Sequence, residues 1–273
     1  MTPWTDRPIC AFDLETTDRD PRTARIVTAC VVTFDGERTD TRSWLVDPGI
    51  DIPEETTAIH GVTTARARAE GLDYREGYRQ IRQAVCEAWA RGHIVVAFNA
   101  SYDLTVLDAE GRRLGWDALE IGTVVDPYVI DRELDRYRSG RRTLQAVCEV
   151  YGVPLTDPHQ AEADALAAGL LTRALVARYP QLAELDIMAD QAAWHAERQR
   201  SFAEYLRGLG RDADDVDDSW PVRRPAPVGT EVLERPVTET RFRRLLRVVR
   251  KFFGLPSRST DPENHSTDQG SRP

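Results

Sequence analysis

The chain has 273 residues, 30% of them charged, and a formal net charge of −9. That length can hold one domain with a full core plus an extension. A net negative charge gives the protein no general affinity for polyanions. The four cysteines lack the Cys-x-x-Cys spacing of zinc sites. No apolar run reaches the roughly 20 residues of a membrane span, and no signal peptide opens the chain. We therefore expect a cytoplasmic protein without integral membrane association.

The first part of the chain predicts an antiparallel meander. Three runs rich in apolar and β-branched residues cover residues 9–14, 26–34 and 41–46, and Asp35-Gly36 is a turn signal between the second and third. A loop is predicted over residues 47–61, because this stretch contains Pro48-Gly49 and Pro53. A helix is predicted after it, since apolar residues recur near a helical period from Tyr74 to Trp89.

Strands and helices then alternate along the chain. We predict strands over residues 94–98 and 121–125, and helices that begin near Asp103, near Thr143 and near Gln160. Strands first, followed by alternating strands and helices, indicate a mixed sheet with helices on both faces.

Two carboxylates lie two residues apart in the first strand. Residues i and i+2 of a strand point to the same face, so Asp13 and Glu15 project together. Two ionised carboxylates side by side repel each other, and a bound cation relieves that repulsion. Oxygen ligands of this kind suit Mg²⁺ or Mn²⁺. Because Asp-x-Glu also occurs on solvated strand faces, the pair alone does not establish a metal site.

Further polar residues follow later strands in a fixed order. Asn99-Ala100-Ser101-Tyr102-Asp103 comes directly after an apolar run, and His-Gln-Ala-Glu-Ala-Asp opens the late helix with His159 and Asp164. Over residues 8–178 this pattern resembles the DEDDh 3′–5′ exonucleases, the family of the proofreading epsilon subunit of DNA polymerase III. The resemblance implies a ribonuclease H-like α/β fold, in which a mixed sheet combines an antiparallel meander with parallel strands and is flanked by helices.

The resemblance also implies a two-metal site that hydrolyses phosphodiester bonds. Asp13 would bridge two Mg²⁺ or Mn²⁺ ions, Glu15 and Asp164 would complete one ion, and Asp103 would serve the other. Asp126, which ends a strand before Pro127, is interpreted as a structural residue or one behind the metal ligands, since a carboxylate there often caps a turn.

His159 is the candidate general base. Five helical positions turn about 140° past alignment, so His159 and Asp164 cannot share one face of a regular helix. Pro158 favours a non-helical entry, which predicts His159 on the loop or first turn before the helix. An imidazole titrates near neutral pH and suits proton abstraction there.

Residues around these motifs are expected to contact the 3′-terminal nucleotide. By resemblance this holds for Thr16 and Thr17 and for the segment with His60 and Gly61, where glycine permits close backbone approach. Asn99 belongs to the same set, and the Tyr102 ring can either stack on a base or pack in the core. Phe98 departs from the pattern, because many members have histidine before the asparagine.

The C-terminal third changes in composition. We predict an exonuclease domain over residues 1–180, a helical extension over 181–210, an acidic and then proline-containing linker over 211–239, a basic amphipathic helix over 240–255 and a disordered tail over 256–273. The basic helix could dock on its own domain, a partner protein, nucleic acid or an anionic membrane surface.

The sequence therefore predicts a metal-dependent exonuclease that removes nucleoside 5′-monophosphates from DNA 3′ ends, with single strands favoured. One alternative is an RNA-trimming exonuclease of the same superfamily, since the side chains that would sense a 2′-hydroxyl cannot be identified in one sequence. The other is a non-catalytic module for nucleic acid or a protein partner, because a fold alone does not fix a function.

Overall fold

The computed structural model describes residues 3–36 and 38–224 and forms one five-stranded mixed sheet. The spatial order is β3-β2-β1-β4-β5. The strands are β1 Ile9–Thr16, β2 Ile26–Asp35, β3 Arg38–Leu45, β4 Ile94–Val96 and β5 Val124–Val125. The first three pair antiparallel, as the predicted meander requires, and β1–β4 and β4–β5 pair parallel.

Eight α-helices of the described residues surround the sheet. They are α1 Glu54–His60, α2 Thr64–Glu70, α3 Tyr74–Ala90, α4 Ala100–Leu114, α5 Pro127–Leu134, α6 Leu144–Tyr151, α7 Ala161–Arg178 and α8 Ile187–Gly208. Two 3₁₀ turns, Trp4–Asp6 and Pro180–Glu184, flank this set. No helix among the described residues is long and apolar enough to cross a membrane.

The two faces of β1 belong to different cores. Cys10, Phe12 and Leu14 pack with residues of α3 and α4, and Ile9 and Ala11 pack with residues of α7 on the other face. Phe12 is fully buried, and burying a side chain of that size contributes about 1.5–3 kcal/mol. Because side chains alternate along a strand, the two carboxylates of β1 lie on the α7 side.

Small residues bring α7 close to the sheet. Ala165, Ala168 and Gly169 are on the buried face of this helix. A Cβ atom at Gly169 would lie only 2.3 Å from the Phe34 ring, so a larger residue there would push the helix away. The close approach sets the first turn of α7 beside the carboxyl end of β1.

One prediction made for a non-helical segment is wrong. Residues 47–61 are not wholly a loop, because α1 occupies the second half and ends at Gly61, whose φ of 76° is the left-handed conformation that glycine allows. The described part of the predicted linker, residues 211–224, is neither helix nor strand and contacts the domain near its end. Trp220 and Val222 pack against the core beside α4, and the Arg223 N–H donates to Thr105 Oγ1 at 2.8 Å.

The remaining predictions for the C-terminal part are not tested. Residues 225–239 of the linker, the basic amphipathic helix at 240–255 and the tail at 256–273 lie outside the described residues.

Candidate active site

The site lies where β1 continues beyond its parallel neighbour. Strand β4 pairs with residues 9–11 of β1 only, so the carboxyl half of β1 has no strand on that side. The chain leaves β4 and turns into α4, which begins at Ala100. The N–H of Leu14 donates instead to Asp103 Oδ1 at 3.1 Å. Asp103 therefore takes the place of a missing strand partner and stands beside Asp13 and Glu15.

Asp126 fixes the start of α4 through hydrogen bonds to its backbone. This buried carboxylate accepts hydrogen bonds from the N–H groups of Asn99 and Ala100, both at 2.9 Å, and caps α5 through the Tyr128 N–H at 3.0 Å. Asn99 itself has a φ of 67°, and this left-handed residue turns the chain sharply into the helix. Asp126 thus holds the turn that presents Asp103 and is itself behind the cluster.

Asp164 comes from the first turn of α7. Its Oδ2 accepts the backbone N–H of His159 at 3.1 Å, and its Oδ1 is buried without a hydrogen-bond partner among the described residues. His159 precedes α7 and has a φ of 67°, which agrees with its predicted place outside the helix. Ligand atoms of Glu15, His159 and Asp164 lie within 4.8 Å of one another.

The four carboxylates oppose one another's ionisation. Burial first, and then Asp103, Asp164 and Glu15, raise the pKa of Asp13 well above its usual range. Burial followed by Asp164 and Asp103 raises the pKa of Glu15 to about 8. The pKa of Asp103 is also raised by burial, although the Leu14 N–H opposes this. Burial raises the pKa of Asp164 to about 6, against the effect of the His159 N–H.

These residues fit a site for divalent cations. The donor set is all carboxylate oxygen, which Mg²⁺ and Mn²⁺ prefer. The buried Oδ1 of Asp164 has no partner in the described protein, and an orphaned acceptor of this kind is costly unless something binds it. A cation would satisfy this oxygen and offset the repulsion that adds to burial in raising the pKa values of Asp13, Glu15 and Asp103.

Two of the residues predicted to contact the terminal nucleotide lie at the ends of the elements that carry the carboxylates, because Thr16 ends β1 and Tyr102 is in the first turn of α4. The Thr16 hydroxyl and the Tyr102 phenol hydrogen-bond each other, and Tyr102 also donates to the Asp18 carbonyl. The Thr17 hydroxyl accepts the Arg25 N–H at 3.0 Å, which fixes the turn after β1. Tyr102 is therefore held by its hydroxyl group at the end of β1, and it also packs against the core of α3 and α4.

His60 closes another side of the site. Its Nδ1 accepts the Val62 N–H at 3.1 Å across Gly61, and its Nε2 is buried without a partner among the described residues. Burial is the main cause that lowers the pKa of His60, the Thr16 backbone opposes this, and nearby His159 lowers it further. Burial thus favours the neutral imidazole, which lies near Thr16 at the end of β1 and near His159.

One contact escaped sequence reasoning altogether. The side-chain amide of Gln160 donates to the His60 carbonyl at 3.2 Å, which joins the loop of the candidate base to α1. The two residues are 100 positions apart, and an exposed glutamine carries no local signal for such a bond. Only its place beside His159 could have drawn attention to it.

Comparison with known proteins identifies the family of this chain. A family model described as an exonuclease, RNase T, matches residues 10–172, which is more than half of the chain. The chain belongs to this family of exonucleases. A PolC-type DNA polymerase III of Lacticaseibacillus paracasei is 28% identical over 165 residues, which are 60% of this chain and 11% of that polymerase. The chain thus spans about a tenth of this relative.

Solved structures confirm the fold. Exonuclease I of E. coli in complex with a dT13 oligonucleotide is 18% identical with a TM-score of 0.56, over 65% of this chain and 42% of that one. The zinc-bound complex of the same exonuclease with single-stranded DNA is 17% identical with a TM-score of 0.55, over 72% and 45%. At such identities the likeness is one of fold, and it confirms the predicted ribonuclease H-like architecture. This chain again spans less than half of these proteins.

Proposed function

We propose that this protein is a metal-dependent 3′–5′ exonuclease that releases nucleoside 5′-monophosphates from DNA 3′ ends, with single strands favoured. The observation that carries the proposal is the convergence of Asp13, Glu15, Asp103 and Asp164 on one end of β1 in a member of an exonuclease family. The relatives support the substrate class, because one is a DNA polymerase and another was solved with a DNA oligonucleotide. Such an enzyme acts in the cytoplasm.

Two Mg²⁺ or Mn²⁺ ions would be held by these four carboxylates. When bound, such ions supply positive charge against the developing negative charge of the phosphodiester and lower the pKa of water. The carboxylates contribute by fixing these charges in place, since Asp103 is held by Leu14 and Asp164 by His159.

His159 would accept the proton of the attacking water. Its side chain is exposed and stands on a loop, so water and substrate can reach the imidazole, and Asp164 holds its backbone. The proton moves to a ring nitrogen of His159 as the water oxygen attacks phosphorus, and the 3′ oxygen of the next nucleotide leaves. Gln160 limits the movement of this loop through its bond to His60.

The terminal nucleotide would be recognised by backbone and ring contacts at the cluster's edge. We expect the terminal nucleotide to contact Thr16, Thr17, His60, Gly61, Asn99 and Tyr102. Backbone groups, hydroxyl groups and an aromatic ring suit a sugar or a base plane, so we expect little sequence preference.

The test is digestion of 5′-labelled single-stranded DNA, duplex DNA and RNA of one sequence, with Mg²⁺, followed by sizing of the products. We expect a ladder shortened from the 3′ end, fastest for single-stranded DNA, with EDTA and the D13A variant as controls. Faster digestion of RNA would assign the alternative function of RNA trimming. Failure to shorten any of the three substrates, together with retained binding to oligonucleotides, would contradict the exonuclease and favour a binding module.

A further inference from the structure

Two arginines that have no acidic partner among the described residues meet where α5 and α8 pack against each other. Arg132 lies on α5 and Arg198 on α8. Burial lowers the pKa of Arg198, and the charge of Arg132 lowers it further, followed by smaller effects from neighbouring arginines. Within the described part of the chain Arg198 forms no ion pair and no hydrogen bond. The two side chains thus lie on packed helices, near enough for the charge of one to act on the other, and neither has a compensating anion among the described residues.

The guanidinium of Arg132 is positioned but incompletely satisfied. Its Nη1 donates to the Tyr128 hydroxyl at 3.1 Å, and the group stacks over the Tyr128 ring with its carbon 5.3 Å from the centroid. Its Nε is buried and has no hydrogen-bond partner in the described residues. A buried N–H of a charged group costs free energy when it lacks an acceptor.

The acidic residues nearby are already paired with other arginines. Asp131 is fully buried and accepts from both Arg138, at 2.8 Å, and Arg142, at 2.7 Å. Glu133 pairs with Arg136 at 2.7 Å. The local excess of positive charge therefore falls on Arg132 and Arg198. A planar guanidinium pair is well suited to a phosphate group, which offers several charged oxygens.

An aromatic pair connects these arginines to the active site. The Phe98 and Tyr128 rings meet edge to face with centroids 5.5 Å apart. Phe98 directly precedes Asn99, and the N–H groups of Asn99 and Tyr128 both donate to Asp126 Oδ1. Arg132 follows Asp126 by six positions, which is about 9 Å along α5. Both rings are partly exposed, so an aromatic surface and then two cationic side chains follow the turn that carries Asn99.

We propose that Arg132 and Arg198 bind phosphodiester groups of the substrate strand a few nucleotides before its 3′ end, and that Phe98 and Tyr128 provide the surface on which an intervening base stacks. The inference rests on the proposed exonuclease function and extends the same site. It also gives a role to Phe98, which replaces the histidine usual in the family. Stacking on aromatic rings beside a cationic track is how single strands are held without sequence preference.

The test compares the double variant R132Q/R198Q with R200Q, which removes an exposed arginine of the same helix and serves as the charge control. Affinity for a single-stranded 12-mer is measured by fluorescence anisotropy with Ca²⁺ in place of Mg²⁺. We expect the double variant to bind about tenfold or more weakly than the control, since it loses two charge-assisted contacts. The slope of log affinity against log salt should decrease by about 1.4 for two lost phosphates, at roughly 0.7 each.

Turnover gives a second readout. The KM of wild-type protein should be lower for the 12-mer than for a dinucleotide, and this advantage should shrink in R132Q/R198Q while R200Q keeps it. Binding of the 12-mer within twofold of the control, or an equal loss on both lengths, would overturn the proposal. Failure of all variants to digest any DNA would refute the exonuclease instead, while the anisotropy still tests the two arginines. If the double variant has a lower Tm than the wild type, R198Q alone is compared with R200Q in the same measurements. This single change is suitable because the Arg198 side chain has no partner to lose among the described residues.

Discussion

The backbone N–H of His159 donates to Asp164 Oδ2 at 3.1 Å, so the candidate base and a candidate metal ligand are joined by the main chain. Five residues apart on a regular helix, the two would face different directions. The left-handed conformation of His159 ends the loop just before α7 and turns its imidazole toward Glu15 and Asp164. A change at either residue therefore acts on the other through this turn.

Replacement of His159 by Ala should lower turnover by about 10²- to 10⁴-fold, the usual range for a lost general base. The carboxylates and the backbone bond to Asp164 remain, so metal affinity should change little. The measurement is kcat on a short single-stranded oligonucleotide together with metal affinity from calorimetry. Added imidazole should restore part of the activity. A loss below threefold would remove His159 from the mechanism.

Replacement of Asp13 by Ala should abolish turnover, because this carboxylate is close enough to the other three for all of them to raise its pKa. The same change removes one of four mutually repelling charges, so the metal-free variant should melt at the wild-type temperature or slightly above it. D40A, at an exposed position on β3, is the control. Near-wild-type digestion by purified D13A would refute the assigned metal site.

The metal-free protein should lose stability as pH rises from about 4 to about 8. Unfolded carboxyl groups titrate near pH 4, whereas Glu15 has a pKa of about 8 and Asp164 of about 6 in the folded state. The folded state thus holds more protons in this window, and the free energy of unfolding falls with pH. Melting in EDTA at several pH values measures it. The increase in Tm on adding Mn²⁺ should be larger at pH 8 than at pH 5, and an equal increase at both would contradict the cluster's repulsion.

Replacement of Asp126 by Ala should destabilise the protein by about 2–4 kcal/mol, because three backbone N–H groups lose a buried acceptor. Turnover should also fall, since the turn that presents Asp103 is no longer fixed. Urea denaturation and kcat measure the two effects, again with D40A as the control. A loss of activity without any loss of stability would instead indicate a direct role of Asp126 in the chemistry.

Truncation should locate the C-terminal boundary of the folded domain. A chain that ends at Arg224 should keep its activity on short oligonucleotides, because all proposed ligands and the Trp220 contact remain. A chain that ends at Gly210 should melt lower, since it exposes the surface that Trp220 and Val222 cover. Equal Tm values for the two truncations would show that this segment contributes nothing, and inactivity of the longer one would place the boundary later.

The residues of the candidate site could be predicted from the sequence because each motif adjoins the end of a strand. There, the alternation of side chains along a strand or the start of a helix determines where a side chain points. Asp13 and Glu15 share a face for that reason, and Pro158 was enough to place His159 outside α7. Helix α1 was missed because its seven residues include few apolar ones and follow a proline-rich stretch. The packing of Trp220 was missed because acidic and proline residues around it resemble a linker. The proximity of Arg132 and Arg198 could not be predicted, because it depends on the packing of α5 against α8. No local sequence pattern indicates which helices pack together.

Strand β3 affects how molecules of this protein behave toward one another. It is the edge of the sheet, and its first six residues are exposed. Arg38, Asp40 and Arg42 alternate along it, so a second molecule that tried to extend the sheet would have to bury charges of both signs. At the opposite edge, the side chain of Gln191 on α8 donates to the Val124 carbonyl of β5 at 3.0 Å, so this backbone group is not free to pair with another strand. The sheet is therefore protected against fibrous self-association at both sides, by charge at one and by a covering helix at the other.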